Sequence, residues 1–232
     1  MCDHLTFDLS LVIHMVTTKF TKLDSILIGE IKNGTITDIF GHRGTGKTQM
    51  ALQISLNYLK NGKNVLFNDT TSEFRPERFL EIVKNRNLDE SILDRLQIAR
   101  VTNTKEQVDL VQKIQDFENI SLLIVDNVAD LFSFEYSKKS QFNLKQQNFM
   151  NYIHALAQLS IEKNIPIIIT NQVMKIDSTE YEKMNYSLIN YTHQKIKLEK
   201  YMDHYKGTIL SAFLNKIQFF YNIEKIGLIE RS

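Results

Sequence analysis

Residues 35–48 read Thr35-Ile36-Thr37-Asp38-Ile39-Phe40-Gly41-His42-Arg43-Gly44-Thr45-Gly46-Lys47-Thr48, a β-rich run that closes on G-x-x-x-x-G-K-[ST], the phosphate-binding loop pattern. The glycines permit a tight turn that brings several backbone N–H groups toward a polyphosphate. Lys47 adds a point charge, and the Thr48 hydroxyl is placed to ligate Mg²⁺. The helix that starts near Gly46 would turn its positive end to the same phosphates. Three of the chain's eight glycines fall in these eight residues. A fortuitous Gly-rich turn is the competing reading. The strand pattern before the loop and the helical pattern after it, through Tyr58, favour nucleotide binding.

At 232 residues and 43% hydrophobic content, the chain is long enough for one well-buried domain. Its 28 basic and 27 acidic side chains nearly cancel, which excludes a protein that coats nucleic acid through charge alone; any DNA contact must come from a local patch. The single cysteine, Cys2, leaves no disulfide framework and no thiolate metal site, and fits a reducing cytoplasm. No apolar run approaches the ~20 residues of a membrane span, so no membrane association is expected. Asp3, Asp8 and His14 break the pattern of a secretory signal. Residues 1–18 read as an N-terminal extension of unclear role, ahead of a core over residues 19–232.

Working outward from the loop, Met50, Ala51, Ile54 and Tyr58 recur at helical spacing, and Gly62 suits a left-handed helix end. Val65-Leu66-Phe67 reads as a strand ending at Asn68-Asp69, and Pro76 opens a helix to Val83. Leu96–Val101 is a strand, followed by a Thr102-Asn103-Thr104 cap and a helix through Phe117. Leu122–Val125 is wholly apolar, as a buried parallel strand requires. A long helix is expected over about Lys145–Lys163, then a strand Ile167–Thr170. From about Thr192 the strands shorten, and Lys195-Ile196-Lys197-Leu198-Glu199 alternates strictly. Strands alternating with helices imply an α/β fold with a mostly parallel sheet, extended at one edge by an antiparallel C-terminal tail.

A phosphate-binding loop needs a second acidic group near the metal. Asp126 closes the apolar strand, where its carboxylate can hold Mg²⁺ through water; a capping Asp after a strand is the bland reading. Asn171 and Gln172 follow the strand Ile167–Thr170. Their amides could sense a γ-phosphate and relay its presence, or be ordinary loop chemistry.

These stretches carry a resemblance. The chain is similar to the core ATPase domain of the RecA/RadA recombinases, closest to the archaeal–eukaryotic branch. The matching residues are Leu23-Asp24, Gly29 and Gly34, then the run from Thr35 to Gln49, Phe74-Arg75-Pro76-Glu77-Arg78, Leu122–Asp126 and Thr170-Asn171-Gln172-Val173. They cover roughly residues 19–200 in the family's order. The Phe-Arg-Pro-Glu-Arg run is particular to this branch. A counterpart of the family's N-terminal helix-hairpin-helix domain is not expected in the sequence, and core-only members of this kind look like RadB, the short archaeal paralogue; a divergent RadA-like or other RecA-superfamily paralogue is the alternative. The resemblance implies a RecA-type P-loop core that binds ATP and Mg²⁺. Gly41, His42, Arg43, Gly44, Thr45, Gly46, Lys47, Thr48 and Gln49 would hold the nucleotide, with Thr48 and Asp126 at the metal. Arg78 would stack on the adenine, and Gln172 would couple the γ-phosphate to a DNA-binding loop.

Two departures bear on activity. The family places a water-activating glutamate two residues after the Asp-Thr that ends its second strand; here Asp69-Thr70 is followed by Thr71, then Ser72 and Glu73. A threonine cannot serve as a carboxylate base at neutral pH, and loss of a general base costs about 10²–10⁴ in rate. Glu73 is two residues displaced and is expected to point elsewhere; in an active ATPase it, or a residue from a neighbouring subunit, would replace the missing glutamate beside Lys47 and Gln172. The family's Asp-Ser-Pro…Pro-Glu segment, which caps a neighbour's ATP, aligns with Leu210–Asn215 without its acidic and proline features. The family's short polymerisation motif is also not visible.

Two segments occupy the places of the family's DNA-binding loops. Ser133–Gln147 carries Lys138, Lys139 and Lys145 against Glu135, interleaved with Phe134, Tyr136 and Phe142. Lysines supply salt-sensitive phosphate contacts and rings supply stacking surfaces for single-stranded bases; a solvated loop with packed aromatics is the alternative. Val173–Asn190 holds Lys175 and Lys183 against Asp177, Glu180 and Glu182, and reads as a surface turn. The strand Lys195–Lys200 adds a basic face. Three functions follow as expectations. The first is an accessory recombination protein that holds ATP, hydrolyses it weakly in a DNA-dependent way, and binds single-stranded DNA, a RadA-type recombinase or itself. The second is an active DNA-stimulated ATPase, and the third is a nucleotide-gated scaffold with no nucleic-acid role.

Overall fold

The computed structural model describes residues 31–177, 179–210 and 217–231. The stretch 1–18, Cys2, the matching residues Leu23, Asp24 and Gly29, and most of the Leu210–Asn215 segment lie outside them. The loop's preceding run is a strand, β1 (Ile36–Gly41), buried along its whole length, and the helix after it is α1 (Lys47–Lys60). There follow β2 (Asn64–Asp69), α2 (Pro76–Asn85), a 3₁₀ turn over Glu90–Arg95, β3 (Leu96–Arg100), α3 (Thr104–Asp116) and β4 (Ile120–Asp126). The second half comprises α4 (Asp130–Glu135), a 3₁₀ turn Lys139–Gln141, α5 (Phe142–Lys163), β5 (Ile167–Ile176), β6 (Thr179–Glu182) and α6 (Asn185–Leu188). It ends with β7 (Gln194–Tyr201), β8 (His204–Leu210), β9 (Ile217–Glu224) and β10 (Gly227–Arg231).

The strands run in the order β10-β9-β8-β7-β1-β5-β4-β2-β3, with β6 paired to β5 off this path. From β3 to β7 every pairing is parallel; from β7 to β10 every pairing is antiparallel. The α/β fold and the antiparallel edge are therefore as the sequence pattern implied. Because side chains alternate across a strand, the central strands serve two cores at once. Ile39, Phe67, Ile124 and Ile168 join Met50, Leu56, Phe79 and Ile82 of α1 and α2 on one face. Ile36, Leu66, Leu123, Val125 and Ile169 join Val111, Phe132, Phe149 and Leu156 of α3, α4 and α5 on the other. This double burial is why the central strands read as continuous apolar runs. In β7 only Ile196 and Leu198 are buried, the half-wet pattern expected of it.

Helix ends follow local chemistry. Gly46 precedes α1 at φ 91°, Gly62 follows it at φ 72°, and Pro76 sits in the first turn of α2. The Asn103 side chain accepts the Glu106 N–H at 2.9 Å to cap α3. Two expectations are corrected. Helix α5 begins at Phe142 rather than Lys145, because Phe142 and Leu144 are exposed and give its first turn no apolar periodicity. The segment from Val173 is not a surface turn: β5 runs on to Ile176 and folds back through β6, setting Met174 opposite Tyr181 and Lys175 opposite Glu180.

Candidate functional site

The carboxyl ends of β1, β4 and β5 lie side by side, which is where open α/β sheets hold ligands. The loop leaving β1 is shaped by Gly44 and Gly46, both in the left-handed region at φ 81° and 91°, and by the Thr45 hydroxyl, which donates to the His42 carbonyl at 2.9 Å. The Lys47 ammonium donates to the carbonyls of Gly41 at 3.1 Å and His42 at 2.9 Å. Burial pulls its pKa down; the nearby charges of Asp126, Asp130 and Glu73 oppose that fall, and Lys183 adds to it. The Thr48 hydroxyl donates to Asp126 Oδ2 at 2.7 Å, and the Thr170 hydroxyl donates to the other oxygen. Burial raises the Asp126 pKa, against the lowering effect of those two hydroxyls. Beyond Asp126 the Asp126–Asn127 peptide is cis, and the Thr70 hydroxyl exchanges hydrogen bonds with the backbone of Asn127.

These groups open onto a cleft of about 510 Å³ whose walls include Lys47, Thr48, Glu73, Arg78, Asp126 and Gln172. The cleft suits a nucleotide on its own terms. The side-chain nitrogen of Gln49, a residue that lines the cleft, is buried without a partner among the described residues, where such donors are normally paired. A Cβ on Gly46 would stand 3.1 Å from Ile223 and 3.2 Å from Leu228, and the residue sits at φ 91°, so glycine suits a loop that lies this close to β9 and β10. A hydroxyl and one buried carboxylate are an oxygen set for a hard cation. Among the described residues no group of three or more His, Cys, Asp or Glu could hold a metal. A divalent ion here would thus draw its remaining ligands from phosphate and water, as Mg²⁺ commonly does.

The other expected residues are distributed as follows. Gln172 donates to Asp130 Oδ2 at 3.0 Å, at the wall of the cleft. Arg78 also lines it, held by Glu81 at 2.6 Å and by the Glu224 carbonyl at 2.7 Å. The Thr71 hydroxyl donates to Asp69 Oδ1 at 3.1 Å. Glu73 is at the cleft too, but its carboxylate pairs with exposed Arg43 at 2.8 Å. The His42 side chain contacts Glu180 of β6 at 2.8 Å.

The lysine-rich segment is mostly helical rather than one loop. It comprises the end of α4, a short irregular connection at residues 136–138, the 3₁₀ turn and the start of α5. Glu135, its acidic member, is occupied by the N–H and hydroxyl of Thr104. Lys138 and Lys139 are exposed, Lys145 lies 5.9 Å over the Phe142 ring, and Phe134 is 81% exposed. Tyr136 is committed to the fold: its ring stacks on Phe132 and its hydroxyl accepts from Asn148 at 2.9 Å. Lys175 is exposed on β5. The basic face expected on β7 is largely neutralised, because Lys195 is paired with Asp38 and Glu182, and Lys197 with Glu180 and Glu199.

Three features of the site escaped sequence reasoning. The Tyr221 hydroxyl on β9 donates to the Thr45 carbonyl at 2.6 Å, tying the tail to the loop. Thr170 supports Asp126. Asp130 and Lys183 form an ion pair at 2.8 Å beside Gln172. All join residues distant in sequence, where spacing carries no signal.

The sequence comparisons agree with this geometry. The Rad51 family model matches residues 10–187. The chain is 36% identical over 172 residues to the DNA repair and recombination protein RadA of Cenarchaeum symbiosum (strain A), covering 69% of this chain and 43% of that protein. Proteins of the same name from Metallosphaera sedula and Ignicoccus hospitalis are each 33% identical, over 171 and 174 residues, covering 68% of this chain and 52% and 53% of theirs. The chain thus spans about half the length of the curated relatives it matches. With a phosphate-binding loop, a supporting Asp126 and a central parallel sheet in the expected order, the chain belongs to the Rad51 family of RecA-like proteins.

Proposed function

We propose that this protein is an ATP-binding factor of DNA repair and recombination that holds Mg-ATP mainly as a conformational ligand and cleaves it slowly. The observation that carries the reading is at Thr71. Its hydroxyl is turned to Asp69 at 3.1 Å, and the nearest alternative carboxylate, Glu73, is exposed and paired with Arg43. Among the described residues the carboxylates around this position are each engaged, Asp69 by Thr71 and the Phe74 N–H, Glu73 by Arg43, and Asp130 by Gln172 and Lys183. This supports slow activation of an attacking water. The loop from Gly41 to Gln49 would hold the phosphates, Thr48 and Asp126 the metal, and Arg78 the base. Mg²⁺ would supply charge neutralisation at the terminal phosphates. Lys47 offers a charge in a partly dehydrated setting, where it counts for more than in water.

The same reading assigns single-stranded DNA to the lysine and phenylalanine surface that runs from the end of α4 through residues 136–141 to the start of α5, where Lys138 and Lys139 are exposed and Lys145 is half-buried. Lys138, Lys139 and Lys145 stand there without an ion-pair partner among the described residues, beside Phe134 and Phe142. Lys175 adds charge from the neighbouring hairpin. Tyr136 supports this surface from beneath. The protein partner is a RadA-type recombinase or a second copy of the chain. The test is ATP turnover with and without single-stranded DNA, together with DNA binding at two salt concentrations. The expected result is salt-sensitive binding, weakened by Lys138→Ala with Lys139→Ala, and low turnover abolished by Lys47→Ala. Absence of DNA binding at low salt would remove the nucleic-acid half and favour a nucleotide-gated scaffold.

A further inference from the structure

Lys183 stands at the end of the β5–β6 hairpin, outside the phosphate-binding loop, yet its side chain reaches two residues of the cleft wall. Its ammonium lies 2.8 Å from Asp130 Oδ1 and donates to Gln172 Oε1 at 3.2 Å. Asp130 and Gln172 are both walls of the cleft, beside Lys47. The backbone of Lys183 is clamped on both sides: its N–H donates to the Gln172 carbonyl at 2.9 Å, and its carbonyl accepts from Asn171 at 2.7 Å. The side chains of Lys183 and Asp130 are only 20% and 28% exposed, so their charges are weakly screened. The Lys183 charge is also felt at Lys47, whose ammonium it helps to lower. Two cations and the Asp130 carboxylate therefore share the space next to which a terminal phosphate would lie.

An anionic phosphate entering this space would be repelled by Asp130 and attracted by Lys183. The lysine stem is long and flexible, and its ammonium is a compact charge that can change partners without moving the backbone. Building on the ATP reading, we propose that Lys183 is a second phosphate-reading cation. It exchanges the Asp130 carboxylate for the terminal phosphate of a nucleoside triphosphate, and so makes the set of the β5–β6 hairpin depend on triphosphate rather than diphosphate. A diphosphate ends short of Lys183 and leaves the Asp130 pair intact. The hairpin is thus tethered at the cleft by a contact that one ligand breaks and the other preserves, the differential interaction that a ligand-driven change requires.

The test compares wild type, Lys183→Gln, Lys183→Arg and Asp130→Asn for affinity toward ADP and a non-hydrolysable ATP analogue, with hydrogen exchange followed over residues 173–184. Thermal melts confirm that each variant is folded. Lys183→Gln should cut the preference for the triphosphate analogue about tenfold, a typical coupling factor, while ADP affinity stays within about twofold. Lys183→Arg should restore the preference, and Asp130→Asn should tighten triphosphate binding by removing the repulsion. In wild type the analogue, but not ADP, should alter hairpin exchange, and Lys183→Gln should abolish that difference. An unchanged preference in Lys183→Gln, or equal loss for both nucleotides, would overturn the proposal and leave Lys183 as a structural pin. If wild type and Lys47→Ala alike bind neither nucleotide, the ATP reading itself falls, and this proposal with it.

Discussion

Lys195 lies between two carboxylates, 2.9 Å from Asp38 and 2.6 Å from Glu182, with all three side chains largely buried. One cation for two acids leaves an excess negative charge beneath the hairpin, beside the strand that feeds the phosphate-binding loop. Burial, then the charge of Glu182, holds the Asp38 pKa well above its ordinary 3.8. Between the ordinary and the raised value, the folded chain keeps a proton that the unfolded chain has lost, so this carboxyl lowers stability as pH rises through that window. Asp38→Asn should therefore flatten the decline in urea midpoint from pH 5 to pH 8 relative to wild type; an unchanged slope would show that Asp38 titrates normally. Lys195→Met is the opposite case. It leaves two buried carboxylates facing each other and should cost about 3–5 kcal/mol at pH 7, measured by urea unfolding.

At the level of elements, legibility followed the range of the interaction. Gly41–Thr48, Pro76, the Asn103 cap and the apolar run at Leu122–Val125 act through near neighbours, and the sequence pattern placed each of them. Asp126 was legible because a strand end beside a phosphate-binding loop needs an acid. The β5–β6 hairpin was not, since its register rests on Lys175 facing Glu180 and on clamps at Asn171 and Gln172. Nor did the polar-looking start of α5 announce a helix. The tail was legible as alternating strands but not as a wall of the site. Gly207 shows how tightly that tail is built: it faces Phe219 across β8 and β9, and a Cβ there would collide with the fully buried ring. Gly207→Ala should cost about 1–3 kcal/mol by overpacking, seen as a drop of about 2–12 °C in Tm. An unaltered Tm would mean that β8 and β9 can part cheaply.

Over the whole molecule, one sheet carries two kinds of work. Its parallel half brings the phosphate-binding loop, Asp126 and Gln172 to adjacent strand ends, and its antiparallel half braces the loop through Tyr221, Ile223 and Leu228. The hairpin reaches the site at two points, His42 with Glu180 and Asp130 with Lys183. In the proposed function this architecture holds a nucleotide and reports its presence, with Thr71 standing where the family resemblance implies a water-activating glutamate. The most direct test is single-turnover cleavage of Mg-ATP by excess protein, in wild type, Thr71→Glu and Glu73→Gln. Slow cleavage by wild type, unaffected by Glu73→Gln and raised about 10²-fold or more by Thr71→Glu, is the predicted result. Rapid wild-type cleavage that is lost in Glu73→Gln would contradict it, because Glu73 would then be the base.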